Sequence, residues 1–373
     1  MRSWQVKTTT VNGYKKATEI TQCYGCSQYF QQQLTLTTFN TKANMDTATK
    51  VEQTIRVGAV QAEPVWHDLD GCVDKTIQII KQAAADGVQV LGFPEVWIPG
   101  YPWQMWCAPP IIQATWVPQY QRNSMTRDSP QMKRIQAAVK EAGMFVVLGY
   151  SEREGATIYI AQAFISPEGE IVHNRRKIKP THAERTIWGE GQDESLKTVV
   201  DSPFGKIGGL NCWEHLQPLL RYYEYTQGVQ IHISSWPSIF SMPDPEKISW
   251  LYHETGEANN RISQNMAIEG ATFVLCSSQI LTEKGLEKNS ILAGNPVTQV
   301  PGGGFSQIFG PDGKPLCEPI GAGEEGILQA DISLGDITKA KIFLDVAGHY
   351  ARPDMLSLLV NPPVAKHVTI MEK

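Results

Sequence analysis

Short apolar runs alternate with segments of helical spacing from about residue 55 onward. Residues 55–60 are apolar, residues 73–85 repeat apolar positions with a helical period, and residues 88–93 form a second apolar run. Strand, helix and strand in this order are typical of an α/β protein. Further runs predict strands at residues 145–150, 158–165, 171–173, 207–210, 231–234 and 273–277, and helical spacing predicts helices near 130–142, 215–227 and 249–268.

Two tripeptides, Pro167-Glu168-Gly169 and Pro311-Asp312-Gly313, have the composition of tight turns. Each places Pro at the second turn position and Gly where a positive φ is needed, so their flanks are expected to pair as antiparallel strands. Parallel units mixed with such hairpins predict two sheets covered by helices. No repeat or low-complexity linker divides residues 51–373, which we therefore interpret as one domain.

Residues 1–50 differ in composition from the rest of the chain. They are rich in Thr, Gln and Lys and show no sustained apolar period, which predicts a disordered extension. Met45 is an alternative start, and the scarcity of Arg weakens a transit-peptide interpretation. Cys23 and Cys26 have a metal-binding or redox spacing, but no second Cys or His pair lies near them, so two incidental cysteines are the preferred interpretation.

Composition and charge exclude several classes of function. The 373 residues carry a net charge of -5 and no long basic stripe, so nucleic acid is not an expected partner. Neither a membrane-spanning apolar stretch nor the apolar segment of a signal peptide is present, which predicts a cytoplasmic protein without a membrane partner. Seven cysteines form an odd, thinly spread set, which favours reduced thiols.

Cys212 is the first candidate for chemistry. It lies in Asn211-Cys212-Trp213-Glu214-His215, where an apolar run gives way to helical spacing. A sharp turn after a strand would expose this side chain, and the positive end of a following helix favours a thiolate. Gly205, Gly208 and Gly209 upstream would let neighbouring backbone approach closely. The alternative is a buried, inert cysteine, which is common in apolar strands.

Charged residues follow two other predicted strands. Glu95 ends one apolar run, and the carboxyl ends of strands are where α/β sites collect. Lys177 closes the run Arg175-Arg176-Lys177, which is either a solvated basic face or, for Lys177 at a strand end, part of a site. Glu184 is interpreted as an orienting partner for the basic groups. His182 and His215 could titrate near neutrality, or could be hydrogen-bonded structural residues.

Together these segments resemble nitrilases of the carbon-nitrogen hydrolase superfamily. Phe93-Pro94-Glu95 resembles the segment of the catalytic glutamate, Arg175-Arg176-Lys177 that of the lysine, and Asn211-Cys212-Trp213-Glu214-His215 that of the nucleophile. Residues 348–354 resemble a late signature of the same family, and the resemblance covers about residues 55–360. It implies a four-layer α-β-β-α sandwich.

The resemblance also implies roles for individual residues. Glu95, Lys177 and Cys212 would be catalytic, with Glu184, Trp213 and His215 in support. Because a nitrile carbon is a poor electrophile and a thiol is mostly protonated at neutral pH, Glu95 would accept the thiol proton. Attack would give a thioimidate, and two waters would release ammonia and a carboxylic acid. No metal or cofactor is expected.

The substrate is less closely constrained. Trp97, Tyr101, Trp103 and Trp188 are candidates for lining an aryl pocket, with packing in the core or at a subunit interface as an equal alternative. His215 resembles the acid-forming nitrilases, whereas cyanide hydratases more often have Asn there, and residues 216–220 resemble the arylacetonitrilase branch. The alternatives are a cyanide hydratase and a non-catalytic filament-forming relative. The resemblance implies a homo-oligomer in which dimers assemble into spirals.

Overall fold

The computed structural model describes residues 6–11, 14–20 and 54–361. The chain divides into a unit of residues 1–50 and a unit of residues 51–373. In the first unit, β1 (Val6–Val11) and β2 (Tyr14–Ile20) pair as antiparallel strands. Most of residues 1–50 lies outside the described residues, so the disorder of this extension stays a prediction. Cys23, Cys26 and Met45 are among the residues that are not described.

The second unit alternates strands and helices. Its strands are β3 (Thr54–Ala62), β4 (Val90–Gly92), β5 (Phe145–Glu154), β6 (Thr157–Ile165), β7 (Ile171–Arg176), β8 (Val199–Ser202), β9 (Gly205–Asn211), β10 (Ile231–Trp236), β11 (Phe273–Gln279), β12 (Gln307–Phe309) and β13 (Gly326–Ser333). Its α-helices are α1 (Leu69–Ala85), α2 (Gln104–Cys107), α3 (Gln113–Asn123), α4 (Pro130–Ala142), α5 (Pro218–Thr226), α6 (Gly256–Gly270), α7 (Glu283–Lys288) and α8 (Gly335–Lys341).

The strands form two sheet halves that face each other. Their order is β7-β6-β5-β4-β3-β11-β10-β9-β8, with β12 on β11 and β13 on β3. Only two residue pairs, Ser278 with Gln61 and Gln279 with Ala62, join β11 to β3. Around this seam the halves enclose one apolar core, in which Val147 and Phe164 pack with Ile233 and Leu275, among others. The prediction of two sheets is confirmed, with a short hydrogen-bonded seam between them.

Helices cover both outer faces. Helices α1 and α4 bury an apolar stripe that includes Ile80 and Ile135 against one half, and α5 and α6 bury Leu220 and Met266 against the other. Local sequence fixes their ends, since the Ser129 side chain accepts from the Met132 N–H at the start of α4. The result is the predicted four-layer α-β-β-α sandwich.

Several boundaries differ from the predicted ones. Helix α5 begins at Pro218 rather than near residue 215, because residues Cys212–Leu216 form a 3-10 turn. Helix α6 begins at Gly256 rather than near 249, where the Thr255 side chain caps the Ala258 N–H. Both predicted tight turns are present, with Gly169 at φ 77° and Gly313 at φ 83°. Within the described ranges, no helix is long and apolar enough to cross a membrane.

Candidate active site

The three candidate catalytic residues lie where β4, β7 and β9 end. Glu95 follows β4 by three residues, Lys177 directly follows β7 and Cys212 directly follows β9. Their side chains are buried, with at most 6% of any of the three residues exposed. The structure therefore brings together three groups that span more than a hundred residues of the chain, from Glu95 to Cys212.

Lys177 lies between two carboxylates. Its Nζ donates to Glu95 Oε1 at 2.9 Å and to Glu184 Oε2 at 2.7 Å. The Tyr101 hydroxyl donates to the other oxygen of Glu184 at 2.9 Å. Carboxylate oxygens of Glu95 and Glu184 and the Cys212 Sγ all lie within 4.8 Å of one another. Glu184 thus contacts the basic group that it was expected to orient, and the orienting role itself stays a prediction.

Glu95 keeps one oxygen available for chemistry. Its Oε2 is buried and has no hydrogen-bond partner among the residues described. The backbone that carries it is fixed, since Gln279 Nε2 donates to the Glu95 carbonyl at 2.5 Å and to the Val96 carbonyl at 3.1 Å. Gly149 lies against the backbone of Pro94 and Glu95, so closely that an added Cβ would be 2.0 Å from the Pro94 carbonyl oxygen. The Glu95 Oε2 atom can therefore accept a proton without first breaking a hydrogen bond.

Burial and the charge cluster set the protonation states. Burial raises the pKa of Glu95 to about 8, opposed by the Lys177 ammonium. Burial opposes the charge on Lys177, but Glu184 and Glu95 hold the pKa of the ammonium well above its usual value. Burial also raises the pKa of the Cys212 thiol well above its usual value, although Lys177 opposes this. A thiol with a raised pKa is protonated at neutral pH, so the nucleophile needs a base, as the predicted mechanism also requires.

A metal ion could be held here only by displacing Lys177. Glu95, Glu184 and Cys212 offer ligand atoms at suitable separations. However, the Lys177 ammonium donates to both carboxylates and already supplies a positive charge between them. The arrangement is therefore suited to proton transfer next to a fixed cation.

A buried ion pair supports the nucleophile turn. Cys212 has a positive φ of 47°, an unusual backbone conformation for a residue with a side chain. Beneath it, Arg175 donates from two nitrogens to the two oxygens of Glu214, each at 2.7 Å. Glu214 also accepts from the backbone N–H groups of Ile178 and Asn211, both at 2.9 Å. One carboxylate thus joins the end of β7 to the end of β9.

Arg175 corrects the interpretation of the basic run as a solvated face. It is fully buried, whereas Arg176, on the opposite face of β7, pairs with Glu152. The period of two along a strand contains the signal, since Arg175 and Lys177 share a face. Glu214 and Gln279 were not recognised from sequence as site residues, because their partners lie on distant strands.

His215 fits the second alternative given for it, a hydrogen-bonded structural residue. Burial lowers the pKa of His215 well below its usual value, and the neighbouring His232 lowers it further. His215 therefore does not titrate near neutrality. Its Nδ1 lies 2.6 Å from the Cys212 carbonyl oxygen, and its ring stacks on Trp236. It is therefore a neutral residue that contacts the nucleophile's backbone.

A cavity of about 240 Å³ opens next to Cys212. Tyr101, Trp103 and Trp213 line it, as predicted for the first two. Trp106, from the same aromatic-rich segment, also lines it. Aromatic and apolar lining residues that sequence reasoning missed come from distant loops: Pro237, Ile239, Phe240, Ile248 and Trp250.

Two of the predicted substrate-binding residues lie outside this lining. The Trp97 ring packs in the core, where its Nε1 donates to Thr76 Oγ1 at 2.8 Å. The Trp188 ring lies against Tyr101, and its Nε1 donates to Ser151 Oγ at 3.0 Å. Trp188 therefore supports a residue of the cavity wall, whereas Trp97 belongs to the core beside α1. Sequence spacing could not separate Trp97 from Trp103, because both belong to one aromatic-rich segment.

Comparison with known proteins agrees with this geometry. Residues 56–342 match the carbon-nitrogen hydrolase family. A nitrilase of Talaromyces marneffei is 73% identical over 86% of this chain and 99% of its own length. A cyanide hydratase of Armillaria gallica is 47% identical over 83% of this chain and 85% of its own length. An arylacetonitrilase of Aspergillus kawachii is 46% identical over 84% of this chain and 94% of its own length. Among solved structures, a carbon-nitrogen hydrolase from Helicobacter pylori shares the fold, with a TM-score of 0.63, 16% identity, and coverage of 81% of this chain and 97% of its own.

Proposed function

Because the chain belongs to the carbon-nitrogen hydrolase family, we propose that it is a nitrilase, which converts a nitrile and two waters into a carboxylic acid and ammonia. The observation that carries this proposal is the Lys177 ammonium between Glu95 and Glu184, with the Cys212 sulfur beside them. The 73% identity to a nitrilase over nearly the whole length of that relative favours the same reaction.

The first step forms a thioimidate. The free Glu95 oxygen accepts the Cys212 thiol proton as the sulfur bonds to the nitrile carbon, and that proton passes to the nitrile nitrogen. A base with a pKa of about 8 holds the proton more firmly than an ordinary carboxylate would. Lys177 and the Trp213 N–H stabilise the negative charge that develops on nitrogen.

The remaining steps consume both waters. Glu95 takes a proton from the first water as the water oxygen adds to the thioimidate carbon, and it passes this proton to the nitrogen. The new hydroxyl then gives its proton to the nitrogen, which leaves as ammonia while a carbonyl forms. This leaves a thioester on Cys212. The second water, activated by the same carboxylate, displaces the sulfur and gives the acid. If the sulfur leaves before ammonia does, the product is an amide after one water only.

That branch point separates a nitrilase from a cyanide hydratase. The cyanide hydratase relative is 47% identical to this chain, whereas the nitrilase relative is 73% identical. Acid formation is therefore the main proposal, and conversion of cyanide to formamide is the alternative. A non-catalytic, filament-forming role is disfavoured because Glu95, Lys177 and Cys212 lie together, with Lys177 hydrogen-bonded to both Glu95 and Glu184.

The cavity supports a substrate with a single aromatic ring. Its volume of about 240 Å³ is below the roughly 300–1,000 Å³ that holds drug-sized ligands, so it fits a small molecule. Tyr101, Trp103 and Phe240 offer ring faces for stacking or edge contacts with an aryl group. An aryl nitrile or arylacetonitrile is accordingly the proposed substrate, and the relative named arylacetonitrilase supports the second choice.

The assembly and compartment are also proposed. A homo-oligomer is supported by exposed large apolar side chains, including Leu219 on α5 and Phe343 just beyond α8. Size-exclusion chromatography with light scattering tests the oligomer, and a monomer at micromolar concentration would oppose it. A cytoplasmic location is tested by tagging the protein in the source cell.

A product-resolved assay tests the reaction. Purified enzyme is given phenylacetonitrile, benzonitrile, an aliphatic dinitrile or cyanide, and acid, amide and ammonia are measured separately. We expect one ammonia for each acid with an aromatic nitrile, and no turnover by Cys212→Ala. Formamide from cyanide without matching ammonia would instead support the hydratase. Activity that persists in Cys212→Ala would refute the covalent mechanism.

A further inference from the structure

Three polar side chains outside the proposed mechanism form a buried chain behind the nucleophile. His215 Nε2 lies 2.9 Å from His232 Nε2, and His232 Nδ1 lies 2.5 Å from Glu224 Oε1. His232, on β10, and Glu224, on α5, have no exposed surface, nor does His215. The chain ends at the Cys212 carbonyl oxygen, 2.6 Å from His215 Nδ1.

The partners fix where the protons lie. A carbonyl oxygen only accepts, so His215 Nδ1 carries a hydrogen and donates to Cys212. Neutral His215 then accepts at Nε2, and His232 must donate from its own Nε2. One further proton lies between His232 Nδ1 and Glu224 Oε1, whichever atom holds it. Glu224 thereby determines the tautomer of His232, and through it that of His215.

This chain is expensive to keep for stability alone. Burying polar groups costs free energy, and apolar residues of similar size would pack at least as well. Glu224 Oε2 has no hydrogen-bond partner in the described part of the chain. The backbone also accommodates the carboxylate, because a Cβ on Gly208 would lie 2.4 Å from Glu224 Oε1. A glycine is therefore needed on β9 opposite His232.

The far end of the chain is a single peptide group. The Cys212 carbonyl and the Trp213 N–H belong to one planar unit and point in opposite directions. A hydrogen bond to the carbonyl therefore sets the direction of the N–H, and it also polarises the N–H as a donor. That N–H also acts on the nucleophile, since it lowers the pKa of the Cys212 thiol against the larger effect of burial. The positive φ of Cys212 makes this peptide orientation one that its surroundings must hold.

We propose that Glu224, His232 and His215 form a positioning relay, which holds and polarises the Cys212–Trp213 peptide group so that its N–H meets the charge formed on the substrate. The relay rests on the proposed function in one respect, namely that the charged species is the adduct of Cys212. None of the three side chains touches the substrate. They act on the reaction through the backbone of the nucleophile.

Variants at Glu224 test the relay. Glu224→Leu removes the last partner, and we expect kcat to fall about 10- to 100-fold, somewhat less than the loss of a direct oxyanion donor. KM should stay within about twofold, because substrate binding is not altered. Glu224→Gln can still donate from its amide nitrogen to His232 Nδ1, which preserves both tautomers, so kcat should stay within about threefold of wild type. Tyr225→Phe, on the same helix, is the matched control, since its hydroxyl contacts Glu269 and Met266 and not the relay.

A double-mutant cycle separates a relay from general loss of structure. His215→Phe retains a ring against Trp236 but loses the N–H to Cys212. If Glu224 acts through His215, adding Glu224→Leu to His215→Phe should lower kcat no further. Additive effects in variants with unchanged thermal unfolding would overturn the proposal. Unchanged kcat in folded Glu224→Leu or folded His215→Phe would also overturn it.

A measurement on the unmutated enzyme covers the case in which the variants do not fold. In protein labelled with 15N-histidine, His215 should be protonated at Nδ1 and not at Nε2. The opposite tautomer would overturn the relay. This measurement needs no substrate, so it can fail independently of nitrile hydrolysis. Absence of hydrolysis by the wild-type enzyme would instead count against the proposed function.

Discussion

Replacing Arg175 by Met would leave the Glu214 carboxylate buried without its cation. The pair has essentially no exposed surface, with side-chain exposures of 0% and 2%. Although burial opposes it, Arg175 and two backbone N–H groups hold the pKa of Glu214 below its usual value. Removing one partner of such a pair costs about 3–5 kcal/mol, because the remaining charge keeps its desolvation cost and loses its compensation.

The cost converts into a shift of the thermal midpoint. A unit of residues 51–373 has an unfolding entropy of roughly 0.7 kcal/mol per kelvin at about 2.1 cal/mol/K for each residue. Arg175→Met should therefore lower Tm by about 4–7 °C in scanning calorimetry or circular dichroism. The turn that carries Cys212 loses its support in the same variant, so hydrolysis should fall even below the new Tm.

Two controls make this reasoning refutable. Arg56→Met breaks an exposed bidentate pair with Asp331, whose side chains are 45% and 50% exposed, and should shift Tm by under about 2 °C. The double variant Arg175→Met, Glu214→Gln removes the unpaired charge and keeps one side-chain oxygen, which can accept from either Ile178 or Asn211, so it should recover part of the lost Tm. A Tm change in Arg175→Met no larger than in Arg56→Met, or no recovery in the double variant, would show that the buried charge does not govern the stability of this turn.

The site makes three other predictions. Burial raises the pKa of Glu95 to about 8, and only its deprotonated form is a base. We therefore expect kcat/KM to rise about tenfold per pH unit well below that pKa and to level off above it. A profile of kcat/KM that is flat between pH 5 and about 8 would contradict this. Lys177→Met should lower kcat by about 10²–10³-fold. It should also move the acidic limb of the pH profile to higher pH, because the ammonium that opposes protonation of Glu95 is lost. Steady-state kinetics across pH measure both effects, and an acidic limb that does not move would contradict the prediction. Gly149→Ala should cost about 1–3 kcal/mol in denaturant unfolding, because the new methyl group meets the Pro94 carbonyl. Gly155→Ala, at φ 58° with no atom within 4 Å of an added Cβ, measures the cost of a positive φ without overlap, and a smaller loss in Gly149→Ala would contradict the steric argument.

The identity of the site could be predicted from the sequence because its signals are local. Apolar runs predicted every long strand from β3 to β11, and each catalytic candidate directly follows such a run or lies within three residues of its strand end. Predictions failed where a residue's role depends on distant partners. Arg175 was interpreted as a solvated cation because a basic run contains no information about Glu214, which lies 39 residues away.

The aromatic region shows the same limit. Trp97 and Trp103 are six residues apart, yet one packs in the core against the helix layer and the other lines the cavity. Composition can indicate that rings gather near the site, but the wall of the cavity is completed by loops from elsewhere in the chain, including Phe240 and Trp250.

The sequence alone determined the α/β class, the order of the layers and the identities of the thiol, carboxylate and ammonium, because hydrophobic period and motif spacing are local properties. Only the tertiary structure decided their chemical states. The Cys212 thiol is neutral and the Glu95 pKa is raised because both are desolvated, and desolvation exists only when other parts of the chain cover them. The buried chain from Glu224 to Cys212 likewise depends on α5, β9 and β10 meeting, which no local pattern encodes.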